Sequence, residues 1–288
     1  MPKFSLLLCT INRHKLVRAC VDSIYAQHFQ DYEIIIVDQS DVLDDDLQKD
    51  QRLLYIHIKP RGLSNARNVG LQHATGDYIA LIDDDAVYDV HFLQYANATL
   101  QEKTNIGILA GRGQDKETGV YLLKGMVFNT EKEIDTREVF NFCISSTLVL
   151  HRDVLKNGFD EEFGIGARYN AAEETDIVFS CIDSKGKIYY NPKMMIYHPS
   201  GMSGAISIDK AYKYSIGIGA VLKKHYLLTN RTIYLWLFVW SIIRSIGGCF
   251  YYLVGKKEYL RSKYTLSGKI KGFMMYRLPT EKKEFSTA

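Results

Sequence analysis

The sequence has few of the features that mark disulfide-stabilised, zinc-binding or secreted proteins. Its five cysteines are odd in number, scattered and never in a CxxC spacing, so they suggest neither a disulfide framework nor a zinc site. This cysteine usage favours a reducing compartment. The opening MPKFSLLLCT carries one lysine and an apolar stretch too short for a signal peptide, so we expect the bulk of the chain in the cytoplasm.

Glycine-rich phosphate-binding loops are missing after the first predicted strand (4–10). No GxGxxG motif follows that strand, which disfavours a dinucleotide-dependent oxidoreductase. The segment CTINRHK (9–15) contains no glycine. A nucleotidyltransferase usually cradles its triphosphate with a Gly-rich, basic loop at this point, so that hypothesis is disfavoured as well.

The charge of the chain is divided unevenly along its length. The 288 residues are 47% hydrophobic and 24% charged, which fits one large globular domain or one domain with an appendage. Residues 201–288 hold 15 Lys and Arg against 4 Asp and Glu, a balance of +11, whereas residues 1–200 hold 21 against 29, a balance of −8. The basic part suits nucleic acid, anionic lipid or a phosphate-bearing substrate, and the acidic part needs a cation to bind phosphate.

Apolar strand-like runs and helical patterns alternate over the first hundred residues. Near-continuous apolar strands separated by helices predict an α/β fold with a mostly parallel central sheet flanked by helices. Ligands of such sheets bind beyond the carboxyl ends of the strands, where polar residues are the first candidates. The predicted strands are 4–10, 33–37, 53–59, 78–83 and 106–111, and the predicted helices are 14–27, 63–74 and 90–103.

The pattern loosens between residues 112 and 172. A strand-like run at 142–150 is followed by a Gly-rich loop (158–172) that we interpret as mobile. A helix then begins near residue 173 with acids in its first turn and Gly186 where a C-cap would stand. Two further strands are predicted at 187–190 and 194–198.

The segment 233–254 is 22 residues long and apolar except for Arg244 and two serines. At about 1.5 Å per residue it is long enough to cross a bilayer. An arginine in mid-span costs roughly 2.5–3.5 kcal/mol on insertion scales, and the pair Gly247–Gly248 weakens the helix. We therefore expect this basic-flanked segment to lie on or dip into a membrane, with a true span and a soluble core helix as alternatives.

Three consecutive aspartates, Asp83, Asp84 and Asp85, end the predicted strand 78–83. Acids after a strand are often only a polar loop start or an N-cap, which is the simplest interpretation. At the ligand edge of a sheet, however, three repelling carboxylates could instead hold a hard divalent cation. Mg²⁺ or Mn²⁺ bound by one or two carboxylates completes its shell with water and substrate phosphates, which would let a diphosphate approach.

Four segments together resemble the family 2 glycosyltransferases. They are LLLCTINR (6–13), EIIIVDQSD (33–41), RGLSNARNVGLQHATGDYIALIDDDAVYD (61–89) and EETDIVFSCIDSKGKIYYNPKMMIYHP (173–199). The resemblance covers about residues 4 to 199. It implies an inverting enzyme of the GT-A (nucleotide-diphospho-sugar transferase) fold, with a catalytic domain over 1–200. The apolar segment and the positive charge predict a basic, helical, membrane-associated region over 201–288.

The resemblance also implies a donor site at the carboxyl ends of the strands. Arg67 would approach the nucleotide and its diphosphate, the alternative being a helix-surface arginine. Asp83 would contact the ribose, and Asp84 stands between with a less determined role. The residues implied around the nucleotide base are Thr10, Asn12 and Arg13, with Asp38 accepting a hydrogen bond from the base.

The implied metal ligands are Asp85 and His198, the alternative for His198 being an ordinary polar residue at a strand end. The implied catalytic base is an acid at the start of the helix near residue 173. Family members usually place an aspartate second in a Glu-Asp pair, whereas this chain has Glu174 there. Glu174 is the first candidate, Asp176 and Glu173 are alternatives, and these acids could also merely complement the helix dipole.

The expected activity is metal-dependent, inverting transfer of a sugar from a nucleotide-diphosphate donor to a lipid-linked saccharide. A UDP-sugar donor, Mn²⁺ or Mg²⁺ and a role in bacterial surface polysaccharide synthesis are implied, without nucleic acid as a partner. The C-terminal segment and its charge predict a location on the cytoplasmic side of the cell membrane. The alternatives are a non-catalytic membrane-bound nucleotide-sugar binding protein and a nucleotidyltransferase of similar fold.

Overall fold

A nine-stranded sheet organises the first of two structural units. The computed structural model describes residues 1–59, 61–198, 207–251 and 256–278, and it divides into Met1–Ile206 and Ser207–Ala288. The predicted boundary at residue 200 lies outside the described residues. The strands are β1 Phe4–Thr10, β2 Tyr32–Asp38, β3 Leu54–His57, β4 Tyr78–Asp83, β5 Val87–Tyr88, β6 Ile106–Gln114, β7 Lys132–Glu133, β8 Leu148–His151 and β9 Lys187–Tyr197.

The sheet is parallel in one half and mixed in the other. Its order is β3-β2-β1-β4-β8-β6-β9-β5, with β7 also paired to β9. The half β3-β2-β1-β4 is parallel, as predicted. Beyond it, β8 runs antiparallel to both β4 and β6, while β6 and β9 are parallel. The prediction of a mostly parallel sheet therefore needs this correction, because an apolar run does not reveal the direction of its strand.

Helices cover the sheet through apolar faces at helical spacing. In α1, Val17, Cys20, Val21 and Ile24 are buried at positions i, i+3, i+4 and i+7 and pack into the core with β1 and β2. Each such aliphatic side chain contributes roughly 1.5–3 kcal/mol when it is fully buried. The helices of this unit are α1 His14–Tyr25, α2 Asp45–Lys49, α3 Leu63–His73, α4 Phe92–Glu102, α5 Val139–Phe142 and α6 Glu173–Asp183.

Three predicted segments differ from the structure. The run 142–150 ends one short helix, passes through a 3-10 turn at Ser145–Thr147 and becomes a strand only from Leu148. The strands predicted at 187–190 and 194–198 form the single strand β9. The loop 158–172, interpreted as mobile, has Phe163 and Tyr169 fully buried. Ser64 Oγ donates to the Phe163 carbonyl at 2.7 Å, which anchors that loop to α3.

The second unit consists of long helices packed side by side. Helices α7 and α9 approach so closely that a Cβ on Gly219 would come within 2.0 Å of the Lys269 carbonyl oxygen. Helix α8 packs on α9 with the rings of Phe238 and Phe273 stacked at 4.0 Å. It is long and apolar enough to cross a membrane, and residues 252–254 of the predicted segment lie outside the described residues. The helices are α7 Ile208–Thr229, α8 Thr232–Tyr251 and α9 Lys256–Met275.

Candidate active site

The carboxyl ends of three neighbouring parallel strands bring the predicted donor-site residues to one edge of the sheet. In the sheet register Thr10 at the end of β1 pairs with Asp38 at the end of β2. On the other side of β1, Cys9 pairs with Asp83 at the end of β4. The aspartate triplet therefore begins where the central strand pair ends, at the edge where ligands of α/β sheets bind.

Asp84 accepts hydrogen bonds from two residues at the end of β1 and in the loop after it, whereas Asp85 accepts from that loop only at 3.3 Å from Arg13 Nη1. Thr10 Oγ1 donates to Asp84 at 2.8 Å and Arg13 Nη1 donates to it at 2.9 Å. The residue Asp84 is 8% exposed. Burial raises the pKa of Asp84, and the hydrogen bonds from Thr10 and Arg13 only partly offset this. Asp84 thus joins β4 to the loop after β1, and two of the residues expected around the nucleotide base are its partners.

Asp85 and His198 lie side by side at the ends of β4 and β9. His198 Nε2 is 2.9 Å from Asp85 Oδ1 and 3.9 Å from Asp83 Oδ2. Burial acts to raise the pKa of Asp85, but the contact with His198 outweighs it and leaves that pKa below its ordinary value. In the described ranges no group of three or more His, Cys, Asp or Glu side chains could hold a metal by itself. The pair fits a cation that takes its remaining oxygen ligands from substrate and water.

Arg67 is buried inside the site and joins α6 to β4. Its side chain is 2% exposed, and its guanidinium donates to Glu173 Oε1 at 2.9 Å and lies 3.6 Å from Asp83 Oδ1. It also donates to Ser145 Oγ, which itself lies 3.4 Å from Asp83 Oδ1. The alternative of a helix-surface arginine is wrong, since Arg67 points into the unit. The guanidinium is engaged by protein acids in this structure. Its predicted approach to a diphosphate stays a prediction.

The three acids in the first turn of α6 occupy different environments. Glu173 is held by Arg67, and Asp176 is only 3% exposed. Glu174 is half-buried and accepts a hydrogen bond from Thr175 Oγ1 at 3.2 Å. Burial, followed by the negative charge of Glu173, raises the pKa of Glu174 to about 8. At a pH near or above this value the group is a carboxylate that can take up a proton, which is what a general base requires.

Asp38 is almost completely buried and is hydrogen-bonded to neighbouring residues of the protein. It is 1% exposed, accepts from the Ser40 amide at 2.7 Å and from the Tyr55 hydroxyl, and lies 3.6 Å from His14 Nε2. Asn12 lies at the surface with a left-handed φ of 55° and exchanges hydrogen bonds with Asp41. The structure thus brings both residues to the edge of the sheet, with Asp38 held by its own neighbours.

Several residues of the site were missed by sequence reasoning. His14 directly follows the TINR segment, so its position could have been noticed. No spacing rule points to Ser145, Ser40 or Tyr55, because each is brought in by a turn or a neighbouring strand. Arg67 and Asp38, to which these three residues are hydrogen-bonded, were predicted as site residues. The buried hydrogen bonds themselves were not predicted.

Curated proteins from several bacteria are similar to parts of this chain. The similarity to the uncharacterized glycosyltransferase EpsJ of Bacillus subtilis is 31% identity over 113 residues, 37% of this chain and 33% of that protein. A GalNAc(5)-diNAcBac-PP-undecaprenol beta-1,3-glucosyltransferase of Campylobacter jejuni is 33% identical over 178 residues, 57% of this chain and 56% of that protein. The glycosyltransferase GlyG of Streptococcus pneumoniae is 28% identical over 212 residues, 67% and 69% of the two chains.

Solved structures share the fold at low sequence identity. Residues 1–349 of TarS from S. aureus, in complex with UDP, superpose with a TM-score of 0.57 at 18% identity, over 94% of this chain and 89% of that one. The mannosyltransferase PcManGT from Pyrobaculum calidifontis, in complex with GDP-Man and Mn²⁺, gives a TM-score of 0.62 at 14% identity, over 94% and 87%. These likenesses confirm the predicted GT-A fold.

The family comparison agrees with the geometry of the sheet edge. The model of "Glycosyl transferase family 2" matches residues 5–159, which include the β1 loop, α3 and the aspartate triplet. This is more than half of the chain. The predicted family is therefore confirmed, and the chain belongs to glycosyl transferase family 2.

Proposed function

We propose that this glycosyltransferase moves a sugar, with inversion, from a nucleotide-diphosphate donor to a lipid-linked saccharide, and that a divalent cation assists it. The reaction breaks the bond between the anomeric carbon and the diphosphate oxygen. It forms a bond from the anomeric carbon to an acceptor hydroxyl oxygen. The hydroxyl proton passes to a carboxylate, and the nucleoside diphosphate leaves with the electron pair of the broken bond.

One observation carries the proposal: Arg67 holds acids from β4 and α6 in the same site. Its guanidinium contacts Glu173 at 2.9 Å and lies 3.6 Å from Asp83. The candidate donor acids and the first turn of α6 are consequently neighbours, although they are 90 positions apart in the sequence. A donor phosphate and an acceptor hydroxyl need such an arrangement, since the base must reach the hydroxyl beside the reacting carbon.

Asp85 and His198 are the residues that would hold the cation. Mg²⁺ or Mn²⁺ at this pair would stabilise the charge that develops on the leaving diphosphate. A carboxylate and an imidazole 2.9 Å apart supply two ligands and leave positions for phosphate and water. The acidic balance of residues 1–200 supports a cation here, because a diphosphate would otherwise meet uncompensated carboxylates.

Glu174 is the base that the local environments favour. Glu173 is committed to Arg67, and Asp176 is almost completely buried. Glu174 combines partial exposure with a pKa raised to about 8. It stands where other family members usually have aspartate, and one extra methylene in the side chain leaves the same carboxylate chemistry. Thr10, Asn12, Arg13 and Asp38 would then line the nucleotide side of the site.

The donor and acceptor classes are inferred from related proteins and from the basic second unit. The TarS and PcManGT complexes hold UDP and GDP-Man with Mn²⁺, respectively, which supports a nucleotide-diphosphate sugar as donor. The Campylobacter jejuni relative is named for an undecaprenol-diphosphate-linked saccharide. An acceptor of that class has an apolar tail and an anionic head, which suits a basic region at the cytoplasmic side of a membrane.

Transfer assays with a panel of UDP- and GDP-sugars, Mn²⁺ and an undecaprenyl-diphosphate-linked saccharide test the proposal. Asp85→Asn should abolish Mn²⁺-dependent donor binding, and Glu174→Gln should cut turnover by about 10²–10⁴-fold with little change in donor affinity. NMR of the product should show the anomeric configuration opposite to that of the donor.

The exposed surface acid Asp153 supplies the control, since Asp153→Asn should leave both Mn²⁺-dependent donor binding and turnover unchanged. Donor binding without turnover on every acceptor would instead favour a non-catalytic nucleotide-sugar binding protein. Unchanged donor affinity in Asp85→Asn would remove Asp85 from the cation site, and full activity of Glu174→Gln would move the base to Asp176 or Glu173.

A further inference from the structure

One face of α8 is apolar and exposed along the whole helix. At about 100° per residue its exposed side chains cover an arc of about 160°, and the exposed Arg244 stands just beyond one margin of that arc. Within the arc the indole rings of Trp236 and Trp240 stack in parallel with centroids 6.1 Å apart. The apolar face comprises Leu235, Trp236, Val239, Trp240, Ile243, Ile246, Phe250 and Tyr251.

The opposite face of α8 packs along α9 over three helical turns. The stacked pair Phe238 and Phe273 marks one end of the contact. Lys269 Nζ donates to the Ser241 carbonyl and to Ser245 Oγ, both at 3.0 Å, in the middle. At the far end, a Cβ on Gly248 would come within 2.7 Å of Ser262 Oγ. The two helices are consequently antiparallel neighbours at the same level, and the described residues leave one face of α8 uncovered.

This packing makes a spanning position unfavourable for α8. If α8 crossed the membrane perpendicular to its plane, the segment 262–273 of α9 would enter the hydrocarbon at the same depth as α8. That segment includes the exposed Lys263 and Lys271. Helix α7, whose backbone touches α9 at Gly219, would be carried in as well. Charged side chains in the bilayer centre are costly, whereas a helix with one apolar and one covered face suits the interface plane.

We propose that α8 lies parallel to the membrane and inserts its apolar face at the boundary between headgroups and acyl chains of an anionic bilayer. Two adjacent tryptophans are typical of this depth. The basic balance of +11 in residues 201–288 selects anionic lipid over neutral lipid. The inference builds on the membrane association in the proposed function but not on sugar transfer, because it is tested by lipid binding without donor or acceptor.

Tryptophan depth distinguishes the two orientations, since the chain's 2 tryptophans both lie on this face. Trp240→Phe leaves Trp236 as the single probe. A second variant combines Trp236→Phe, Trp240→Phe and Phe250→Trp. Its single tryptophan lies 14 residues further along α8, about 21 Å from Trp236. The full chain is added to phosphatidylcholine vesicles that contain phosphatidylglycerol and lipids brominated at defined carbons. We expect the two probes to be quenched at the same shallow depth.

Unequal depths, with one probe near the bilayer centre or at the opposite leaflet, would overturn the in-plane orientation. Absence of quenching at any depth would overturn membrane insertion altogether. The variant with both tryptophans changed to phenylalanine supplies the background signal. None of these side chains is in the candidate active site, so a chain that transfers no sugar can still give either result.

A charge placed on the apolar face tests the surface itself. Ile243→Glu should weaken binding to the anionic vesicles at least about tenfold, because it replaces an inserted aliphatic side chain with a carboxylate. Val42→Glu is the matched control, since Val42 is also an exposed aliphatic residue, in the first unit. Equal binding of both variants would overturn the assignment of this face, and equal binding to vesicles without phosphatidylglycerol would overturn the anionic preference.

Discussion

Individual residues in the first turn of α6 differ in what they can do, although the sequence presents them as one acidic run. Glu173 is hydrogen-bonded to the buried guanidinium of Arg67, whereas burial and the negative charge of Glu173 raise the pKa of Glu174 to about 8. The sequence predicted that an acid of this turn would be the base. It ranked Glu174 first only from its place in the family pattern, because the contact that distinguishes Glu173 from Glu174 is made by Arg67, which reaches α6 from α3.

The pH dependence of turnover follows from that residue. A general base works when it is deprotonated, so kcat should rise as the pH increases through about 8 and level off above it. The profile should be recorded with saturating donor and Mn²⁺. Glu174→Gln should lose this rise, and a wild-type rate that is flat or falls between about pH 6 and 9 would contradict the role of Glu174.

Arg67 should be among the most sensitive positions in the first unit. Arg67→Ala leaves Glu173 and Asp83 without their buried counter-charge and should lower the free energy of unfolding by about 3–5 kcal/mol. Denaturant unfolding measures this change. Arg61→Ala is the control, since that side chain is 58% exposed and water screens its pair with Asp41, so the free energy of unfolding should change far less.

A double-mutant cycle tests whether the Arg67 effect arises from the pair. Combining Arg67→Ala with Glu173→Gln should cost less than the sum of the two single changes, because the second substitution removes the carboxylate left unpaired. Strict additivity would mean that Arg67 stabilises the unit through other contacts, such as its cation–π contact with Phe159 at 5.3 Å.

At the scale of elements, the local sequence pattern predicts where helices begin and end, whereas strand direction and loop anchoring depend on tertiary contacts. The apolar periodicity of 14–27 and 63–74 predicted α1 and α3 to within two residues at each end. The direction of β8 and the anchoring of 158–172 depend on distant partners. Phe163, for example, is fixed by Ser64, which is 99 positions away. Such contacts leave no periodic trace in the sequence.

Glycines that allow α7 and α9 to touch should be intolerant of even one added methyl group. Gly219→Ala would place its Cβ 2.0 Å from the Lys269 carbonyl oxygen and should destabilise the second unit by about 1–3 kcal/mol. Gly247→Ala is the matched control, since no atom of another described segment lies within 4 Å of its added Cβ and alanine favours a helix over glycine by about 0.8–1 kcal/mol. Thermal unfolding followed by circular dichroism should separate the two variants, and equal melting temperatures would contradict the close packing.

At the scale of the whole molecule, the candidate catalytic residues and the candidate membrane surface belong to different units. Every site residue named above lies within Met1–Ile206, and the apolar face of α8 lies within Ser207–Ala288. A chain ended after residue 206 should therefore keep UDP or GDP binding in Mn²⁺ by calorimetry but lose binding to anionic vesicles. Vesicle binding by the shortened chain would show a second lipid contact in the first unit.

The buried contact of Arg67 has an evolutionary consequence. A cation at position 67 and an acid at position 173 compensate each other inside the protein, and neither is tolerated alone at low cost. Natural variation should therefore exchange them together: homologues that lack a basic residue at the first position should also lack the acid at the second. Substitution at Glu174 should not depend on a change at position 67. It should be limited only by the need for a carboxylate as the base, which is consistent with glutamate standing where other family members usually have aspartate.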